Sequence, residues 1–429
     1  MAHEPLAGTL YFDSFLYDSK GEIRFEYSTD AGHRFTHVLT HSFPPDSKLE
    51  ALAPSLFALG MAEIPGYWKA LLAPKIVVRA GALSPEQVVF WEDLYLKGLG
   101  EFFYVNTIDF RGVLSVRSDP TAPTIPPSVE LASGILVPLG GGKDSLVTAE
   151  RLKHQGKQFS WFELEPLPGN EKLREIADVV DTVQIGRDVQ KNFAPVVDLV
   201  RRGAPNGHVP ITATYIFSAV LAGEAYGYRD IIPSLERSAE FGNVAYLGTT
   251  INHQYSKSFA FEQAVHTYVQ QFVNPNMRVF SLLRPYYEIQ IVEQFASYPQ
   301  YFEAFISCNR GLKTNMWCGE CAKCAFMFAA LSAFLPPERV ESIFKKNLFA
   351  DSALIPLYTD LVGRGAMKPF DCVGTFEENL LALYLSGERY KSSGRELPVV
   401  LSTLPIADGA RCVSLLTEVG PSHIPPEYA

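Results

Sequence analysis

The sequence predicts an α/β protein with a doubly wound parallel sheet, preceded by a smaller α+β N-terminal domain. From residue 134 onward, short apolar strands alternate with helices, which is the pattern of a parallel sheet covered by helices. Three consecutive glycines, Gly140–Gly142, follow the first of these strands and lead directly into a helix. Before residue 118, in contrast, alternating strands follow one another as a meander.

The length and composition limit the class of protein. The chain has 429 residues, 47% of them hydrophobic and 20% charged, which allows about two or three domains with apolar cores. Lys and Arg number 37 against 47 Asp and Glu, and the net charge of −10 argues against binding to nucleic acid. No apolar run approaches the roughly 20 residues of a membrane span. The N terminus also lacks a secretion signal, so we expect a soluble cytoplasmic protein.

Residues 1–118 form the predicted N-terminal α+β domain. Alternation of apolar and polar residues predicts three strands, Thr9–Tyr17, Glu22–Ser28 and Arg34–His41. A helix over Lys48–Met61 and a strand over Lys75–Ala80 follow. Ser84 and Gln87 have the spacing of a capping box and predict the start of another helix.

A proline-rich linker, residues 119–128, separates this domain from the parallel sheet, because its prolines prevent a helix or a central strand. Residues 129–345 form the predicted sheet domain, and residues 346–429 a mainly helical C-terminal region. The expected strands are Gly134–Leu139, Gln158–Leu164, Thr182–Ile185 and Asp230–Pro233, and the expected helices are Ser145–His154, Asn170–Val180 and Pro210–Gly227. Ligands of such sheets bind at the carboxyl ends of the strands.

The glycine loop is the most informative segment. Glycine lets the backbone approach an anion closely, and the N terminus of the following helix offers unpaired N–H groups. Lys143 adds a positive charge and Ser145 a hydroxyl. The loop is not a Walker motif, because Val137 occupies the position of its first glycine and Asp144 follows the lysine. We favour an anion-binding loop over a plain turn.

This segment resembles the PP-loop of the N-type ATP pyrophosphatases, a superfamily with an adenine nucleotide alpha hydrolase-like fold and the pattern Ser-Gly-Gly-x-Asp-Ser. Gly140 stands where the pattern has its first Ser. The resemblance implies that ATP is held by Gly140, Gly141, Gly142, Lys143, Asp144 and Ser145. It also implies attack on the α-phosphorus, Mg²⁺ bound with the help of Asp144, and an adenine site near Phe162–Leu164.

Four of the six cysteines lie close together, at Cys308, Cys318, Cys321 and Cys324. Four thiolates at about 2.3 Å satisfy tetrahedral Zn²⁺, and clustering in a long chain favours a metal site over disulfides. The spacing resembles the structural zinc site of the deazaguanine synthases. The alternatives are buried thiols without a metal and an iron–sulfur cluster. We expect a structural site, since four thiolates leave no open position for chemistry.

Four polar segments hold further candidates for binding or catalysis. They are residues 206–210, 234–243, 252–258 and 368–378, with the side chains of His208, Glu236, Arg237, His253, Tyr255, Lys257 and Cys372. An arginine suits a carboxylate or phosphate, and the mixture of His, Tyr and Lys offers acid–base groups. The ordinary alternatives are a helix cap for His208, a solvated loop around Arg237 and a buried apolar role for Cys372.

Five segments together resemble the MurL family, the ATP-dependent epimerases of UDP-N-acetylmuramoyl-L-alanyl-L-glutamate. These segments are residues 59–69, 140–145, 236–239, 252–258 and 317–324, and the resemblance extends from about residue 10 to about residue 390. It implies adenylation of the glutamate α-carboxylate, inversion at its α-carbon, and release of AMP and pyrophosphate. The implied pathway is peptidoglycan synthesis, and hence cell shape and division.

The resemblance also implies roles for individual residues. Lys143 and Lys257 would stabilise charge on the α-phosphate, and Arg237 would bind the substrate carboxylate. The residues that remove and return the α-proton stay open among Glu236, His253, Tyr255 and Cys372.

Two other kinds of function compete with this interpretation. The first is another adenylating PP-loop enzyme: a deazaguanine-type synthase, an amide-forming synthetase or a tRNA-modifying enzyme. The net charge argues against tRNA, no nucleophilic cysteine follows Met1, and the meander is foreign to the small deazaguanine enzymes. The second is a protein without catalysis, either a nucleotide-binding regulator or a zinc-stabilised interaction module.

Overall fold

The fold was analysed in a computed structural model, which describes residues 3–18, 21–41, 43–44, 50–130, 132–179, 181–312, 314–365 and 367–429. The strands in these residues are β1 (Thr9–Tyr17), β2 (Glu22–Thr29), β3 (Arg34–Thr40), β4 (Lys75–Val78), β5 (Ser115–Ser118), β6 (Ile135–Pro138), β7 (Ser160–Leu164), β8 (Thr182–Arg187), β9 (Asp230–Ile231), β10 (Val244–Tyr246), β11 (Thr249–Ile251) and β12 (Arg278–Val279).

The helices of the first 300 residues are α1 (Ala53–Leu71), α2 (Pro85–Gly98), α3 (Gly100–Val105), α4 (Lys143–His154), α5 (Asn170–Ala177), α6 (Val189–Asn192), α7 (Ala194–Arg201), α8 (Ile211–Tyr226), α9 (Phe259–Tyr268) and α10 (Glu288–Phe295). Those that follow are α11 (Ala322–Phe334), α12 (Pro337–Phe344), α13 (Ile355–Leu361), α14 (Phe376–Ser392) and α15 (Val399–Thr403). Among the helices described, none has the length and apolar content needed to cross a membrane.

Ten strands form one mostly parallel sheet, in the order β12-β9-β6-β7-β8-β3-β2-β1-β4-β5. The five strands from β12 to β8 are all parallel, and β1 to β3 form the antiparallel meander. The predicted α/β fold is therefore confirmed. The sheet takes strands from both sides of residues 119–128, while the division of the chain into domains stays a prediction.

The meander joins the parallel strands through one short antiparallel contact. In it, Leu39 and Thr40 of β3 pair with Arg187 and Gly186 of β8. The side chain of Asn192 extends this contact, because its Oδ1 accepts the N–H of Val38 at 3.0 Å and its Nδ2 donates to the carbonyl of the same residue at 2.9 Å. An asparagine amide thus continues the hydrogen-bond ladder beyond the end of β8.

Alternate residues of the central strands face two separate cores. Leu136 and Phe162 pack into the core that contains α1 and α8, while Val137 and Trp161 pack into the core that contains α4, α10, α11 and α14. All five residues of β7 are buried. Helices therefore cover both faces of these strands, as the sequence pattern predicts.

Helix α1 differs most from its prediction. The helix begins at Ala53 and ends at Leu71, so the predicted end at Met61 is wrong. The start at Lys48 lies outside the described residues. Pro65 cannot donate a hydrogen bond to the carbonyl of Met61, but the hydroxyl of Tyr95 donates to it at 2.8 Å. A partner from another helix thus lets α1 continue through its proline.

Candidate active site

The glycine loop lies at the carboxyl end of β6 and begins α4. Gly141 has φ +79°, a backbone conformation that favours glycine, and a Cβ at Gly142 would lie 3.0 Å from the hydroxyl oxygen of Ser307. Around Gly140, a Cβ would meet nothing within 4 Å, so the position of the first PP-loop Ser is open here. No described side chain caps the helix at Gly142. Its first N–H groups are therefore without a capping side chain and available to an anion.

A cavity of about 280 Å³ opens beside this loop, and we call it the loop cavity. It lies at the carboxyl ends of β6, β7 and β9, where parallel sheets bind ligands. The predicted residues that line it are Gly140, Gly142, Asp144, Ser145, Phe162, Lys257 and Cys372. Lining residues that the sequence did not single out for function include Thr212, Tyr215, Ser307, Asn309 and Lys323.

Lys143 does not line the loop cavity but lies buried beneath it. Its Nζ is 2.6 Å from Oδ1 of Asp144 and 2.8 Å from Oε1 of Glu288. Lys323, which does line the cavity, reaches the same Glu288 oxygen at 3.0 Å. Burial alone would raise the pKa of Glu288, but the two lysines lower it to about 2. The ionised Glu288 therefore holds both lysines in place under the loop.

Cys372 has a strongly cationic environment. Nζ of Lys257 lies 3.2 Å from its Sγ, and the nearby imidazole of His253 also favours its ionised form. Burial would raise the pKa of this thiol, but Lys257, His253 and Lys323 together lower it to about 6. Cys372 is thus a thiolate at neutral pH, in contrast to an ordinary buried cysteine.

His253 links Cys372 to the N-terminal part of the chain. Its Nδ1 lies 2.6 Å from Oε2 of Glu101 in α3, and its ring centroid lies 4.4 Å from that of His208. Burial opposes the charge on His253, but Cys372 and Glu101 raise its pKa to about 9. Burial and the neighbouring His253 lower the pKa of His208 to about 4. At neutral pH the first imidazole is therefore charged and the second is neutral.

Arg284 fixes two of the predicted segments relative to each other. Its guanidinium is 1% exposed and donates to the backbone carbonyls of Glu236 and Lys257, both at 2.7 Å. The carboxylate of Glu236 accepts the N–H of Ala239 at 2.7 Å. Burial and the charge of Glu288 raise the pKa of Glu236 to about 8. This side chain is not among those that line the loop cavity.

Two predicted site residues lie elsewhere. The guanidinium of Arg237 stacks 4.2 Å from the ring centroid of Tyr287 and lines a different cavity. The hydroxyl of Tyr255 donates to Asp93 of α2, and its side chain also lines another cavity. The structure does not bring either side chain into the loop cavity.

The four clustered cysteines meet as the sequence predicts. Their sulfurs all lie within 4.8 Å of one another, and the distances Cys308–Cys321 and Cys318–Cys324 are 3.9 and 3.7 Å. Four sulfurs at about 2.3 Å from one ion are about 3.8 Å apart in a tetrahedron, so the group fits Zn²⁺. The segment before Cys308 contacts the glycine loop, where Ile306 N–H donates to the carbonyl of Gly141 at 3.0 Å.

Sequence analysis missed Glu101, Arg284, Glu288 and Lys323. Glu288 and Arg284 lie in ordinary-looking apolar segments, and Glu101 is far from the loop in sequence. Lys323 offered a signal, because it lies between two cysteines of the predicted metal site, and the structure shows that this lysine is buried.

A second cavity, of about 410 Å³, adjoins the first, and we call it the side cavity. Tyr215 of α8 lines both cavities. The walls of the side cavity come from α1, α7 and α8, and its charged groups are Glu63, Lys69, Glu165 and Arg187. Nε of Arg187 is buried without a hydrogen-bond partner among the described residues.

The fold and the loop cavity define an α/β protein with a glycine loop, a cationic pocket and a four-cysteine cluster around one binding region. Family comparison identifies the particular group. The model described as "MurL N-terminal domain" matches residues 1–282, and that described as "MurL C-terminal domain" matches residues 304–405. The chain belongs to the MurL family.

Three relatives carry the name UDP-N-acetyl-alpha-D-muramoyl-L-alanyl-L-glutamate epimerase. The protein of Salinispora tropica is 34% identical over 97% of this chain and 94% of its own length. That of Micromonospora sp. is 33% identical over 97% of this chain and 96% of its own length. That of Xanthomonas oryzae pv. oryzae is 36% identical over 75% of this chain and 72% of its own length. No solved structure matches the chain significantly.

Proposed function

We propose that this chain is an ATP-dependent epimerase of the PP-loop superfamily, acting on the terminal L-glutamate of UDP-N-acetylmuramoyl-L-alanyl-L-glutamate. The names of the relatives supply the substrate. The observation that carries the chemistry is that one cavity is lined both by the glycine loop and by the Cys372–Lys257 pair. Nucleotide activation and proton transfer would thus take place at adjacent atoms.

The reaction needs activation before inversion. Removing the α-proton of a free glutamate carboxylate would create a dianion. Adenylation removes the negative charge of the carboxylate and makes its carbonyl an acceptor for the electron pair of the Cα–H bond. Proton removal, return of a proton to the opposite face and hydrolysis of the adenylate then give the D-glutamyl product and AMP. Cleavage of ATP drives the inversion in one direction.

The loop would bind the phosphates of ATP. The first N–H groups of α4 and the hydroxyl of Ser145 are suitable donors, and Lys257 and Lys323 add positive charge in the same cavity. Asp144, which lines the cavity, would help to hold Mg²⁺, and the ion would supply positive charge beside the phosphates. Lys143 would not contact phosphate. Its role would be to hold the carboxylates of Asp144 and Glu288 in position.

The side cavity would receive the UDP end of the substrate. The loop cavity, at about 280 Å³, lies below the roughly 300–1,000 Å³ of cavities that hold one drug-sized ligand, and the reaction needs two nucleotides. Tyr215 joins the two cavities, and Lys69 and Arg187 supply positive charge in the second. The glutamyl end would then extend past Tyr215 toward Cys372.

The cysteine cluster would bind one structural Zn²⁺. The sulfur–sulfur distances fit a tetrahedral ion, and three of the four thiols are buried. The ion would hold the segment around Ile306 against the glycine loop.

One incubation tests the proposed function. Purified protein, ATP, Mg²⁺ and the UDP-muramoyl dipeptide are mixed, and the nucleotide products and the configuration of glutamate are measured. We expect AMP, pyrophosphate and D-glutamate together. Formation of AMP without inversion would indicate another carboxylate substrate, and ADP as the primary product would contradict the PP-loop assignment.

A further inference from the structure

Four side chains were candidates for transferring the α-proton, and the structure separates them. Only Cys372 among Glu236, His253, Tyr255 and Cys372 lines the loop cavity. Tyr255 hydrogen-bonds to Asp93 beside another cavity, and Glu236 accepts the N–H of Ala239. His253 lies behind Cys372, between its sulfur and Glu101.

The groups around Cys372 favour its ionised form from several directions. Lys257 precedes α9, and its Nζ lies 3.2 Å from Sγ. Lys323 of α11 donates to the backbone carbonyl of Cys372, and the charge of His253 favours the thiolate. Lys368, on the same segment as Cys372, is a further cation in its electrostatic environment. The sulfur thus contacts one ammonium group, and the charges of Lys323 and His253 also favour its ionised form.

We infer that the Cys372 thiolate removes the α-proton of the adenylated glutamate, with His253 and Glu101 as positioning residues behind it. This inference deepens the proposed function and rests on it. The S–H bond forms as the Cα–H bond breaks, and the electron pair of that bond moves onto the acyl-adenylate oxygen. Lys257 and Lys323 lie in the same cavity to stabilise this enolate.

Solvent supplies the proton that is added to the α-carbon and accepts the proton that Cys372 has removed. A solvent-derived proton is added to the opposite face of the α-carbon, and the enolate electron pair returns to form that Cα–H bond. Cys372 gives its own proton to solvent through the His253–Glu101 pair and becomes a thiolate again. No oxidant, reductant or further co-reactant is needed.

The decisive experiment separates adenylation from proton removal. Wild-type protein and Cys372→Ser are incubated in D₂O with ATP, Mg²⁺ and the UDP-muramoyl dipeptide. Labelled pyrophosphate entering ATP measures reversible adenylation, deuterium at the glutamate α-carbon measures proton removal, and chiral analysis measures inversion. Serine keeps the size of the side chain, but its hydroxyl is a far weaker acid than a thiol, so it cannot provide the base.

The expected result is a loss of deuterium exchange and inversion of at least about 100-fold in Cys372→Ser, with pyrophosphate exchange near the wild-type rate. Cys412→Ser is the matched control, because Cys412 is also a free cysteine but lies outside the loop cavity, and it should leave all three rates unchanged. Retained deuterium exchange in Cys372→Ser would overturn the inference, as would equal losses in all three rates. Absence of pyrophosphate exchange in the wild type would instead refute the proposed function.

The positioning role of His253 has a test that needs no turnover. The rate of Cys372 alkylation by iodoacetamide, followed by mass spectrometry across pH, reports the fraction of thiolate. His253→Gln should move the midpoint of this profile to higher pH, because the imidazolium no longer favours the thiolate. An unchanged midpoint would show that His253 does not act on Cys372.

Discussion

At the scale of the residue, the charge of Glu288 holds two buried lysines together beside the glycine loop. Its carboxylate is 2% exposed and pairs with Lys143 and Lys323. Because the pKa of Glu288 is lowered in the folded protein, its contribution to stability is complete above the pKa of the unfolded chain. That contribution is lost as the pH falls toward about 2.

We predict that Glu288→Gln lowers the free energy of unfolding by about 3–5 kcal/mol, since it removes the carboxylate that two buried ammonium groups share. Chemical denaturation at pH 7 measures the change. Glu303→Gln is the control, because Glu303 pairs with Arg339 at the exposed surface and should change stability by less than about 1 kcal/mol. Equal effects of the two substitutions would contradict the buried network.

The proposed acid–base pair also predicts a pH profile. Cys372 must lose its proton, with a pKa of about 6, and His253 must keep its proton, with a pKa of about 9. The value of kcat/KM for inversion should therefore rise through pH 6 and fall through pH 9. Because the two groups interact, the measured values belong to the pair. A profile that is flat between pH 5 and 7 would contradict a thiolate base.

At the scale of the element, α11 connects the cysteine cluster to the loop cavity. Cys321 and Cys324 flank Lys323 at the start of this helix, and Lys323 reaches both Glu288 and the segment of Cys372. A metal that fixes the start of α11 would therefore fix a lysine of the cavity as well.

We predict that the wild-type protein contains about one zinc per chain and that Cys321→Ser loses it, together with much of its affinity for ATP. Elemental analysis and equilibrium binding of ATP measure the two effects. Cys412→Ser should retain both zinc and ATP binding, since Cys412 lies outside the cluster. A folded wild-type protein without any metal would contradict the zinc site.

Local signals in the sequence predicted the elements well where neighbouring residues decide the structure. The strand over Thr9–Tyr17 is confirmed, and the capping box of Ser84 with Gln87 is present. Helix α1 could not be predicted in full, because its passage through Pro65 depends on a hydroxyl from α2. Only the tertiary structure brings Tyr95 to that carbonyl.

At the scale of the whole molecule, the site combines distant parts of the chain. The glycine loop and the cysteine cluster were recognisable because each lies within one short segment. Glu101 and Glu288 were not recognisable, because the residues they contact, His253 and Lys143, lie 152 and 145 residues away in sequence. Conversely, Arg237 and Tyr255 were chosen for their residue types, and only their positions show that they face other cavities.

The proposed arrangement of the two cavities predicts a selective effect on substrate binding. Val200→Trp should fill part of the side cavity and raise KM for the UDP-muramoyl dipeptide by about tenfold or more, which corresponds to about 1.4 kcal/mol. KM for ATP should stay unchanged. Val105→Trp, at an exposed position of α3, is the control and should alter neither value. A parallel rise in both KM values would contradict separate binding regions.

The contact between β3 and β8 also affects how the chain tolerates truncation. If residues 1–118 were deleted, β8 would become an edge strand with unpaired backbone groups, and Asn192 would lose its partner in Val38. Exposed edges of this kind promote aggregation. Residues 1–118 thus shield the parallel strands from self-association in addition to supplying Glu101, and a shortened protein should precipitate or oligomerise rather than behave as an independent ATP-binding domain.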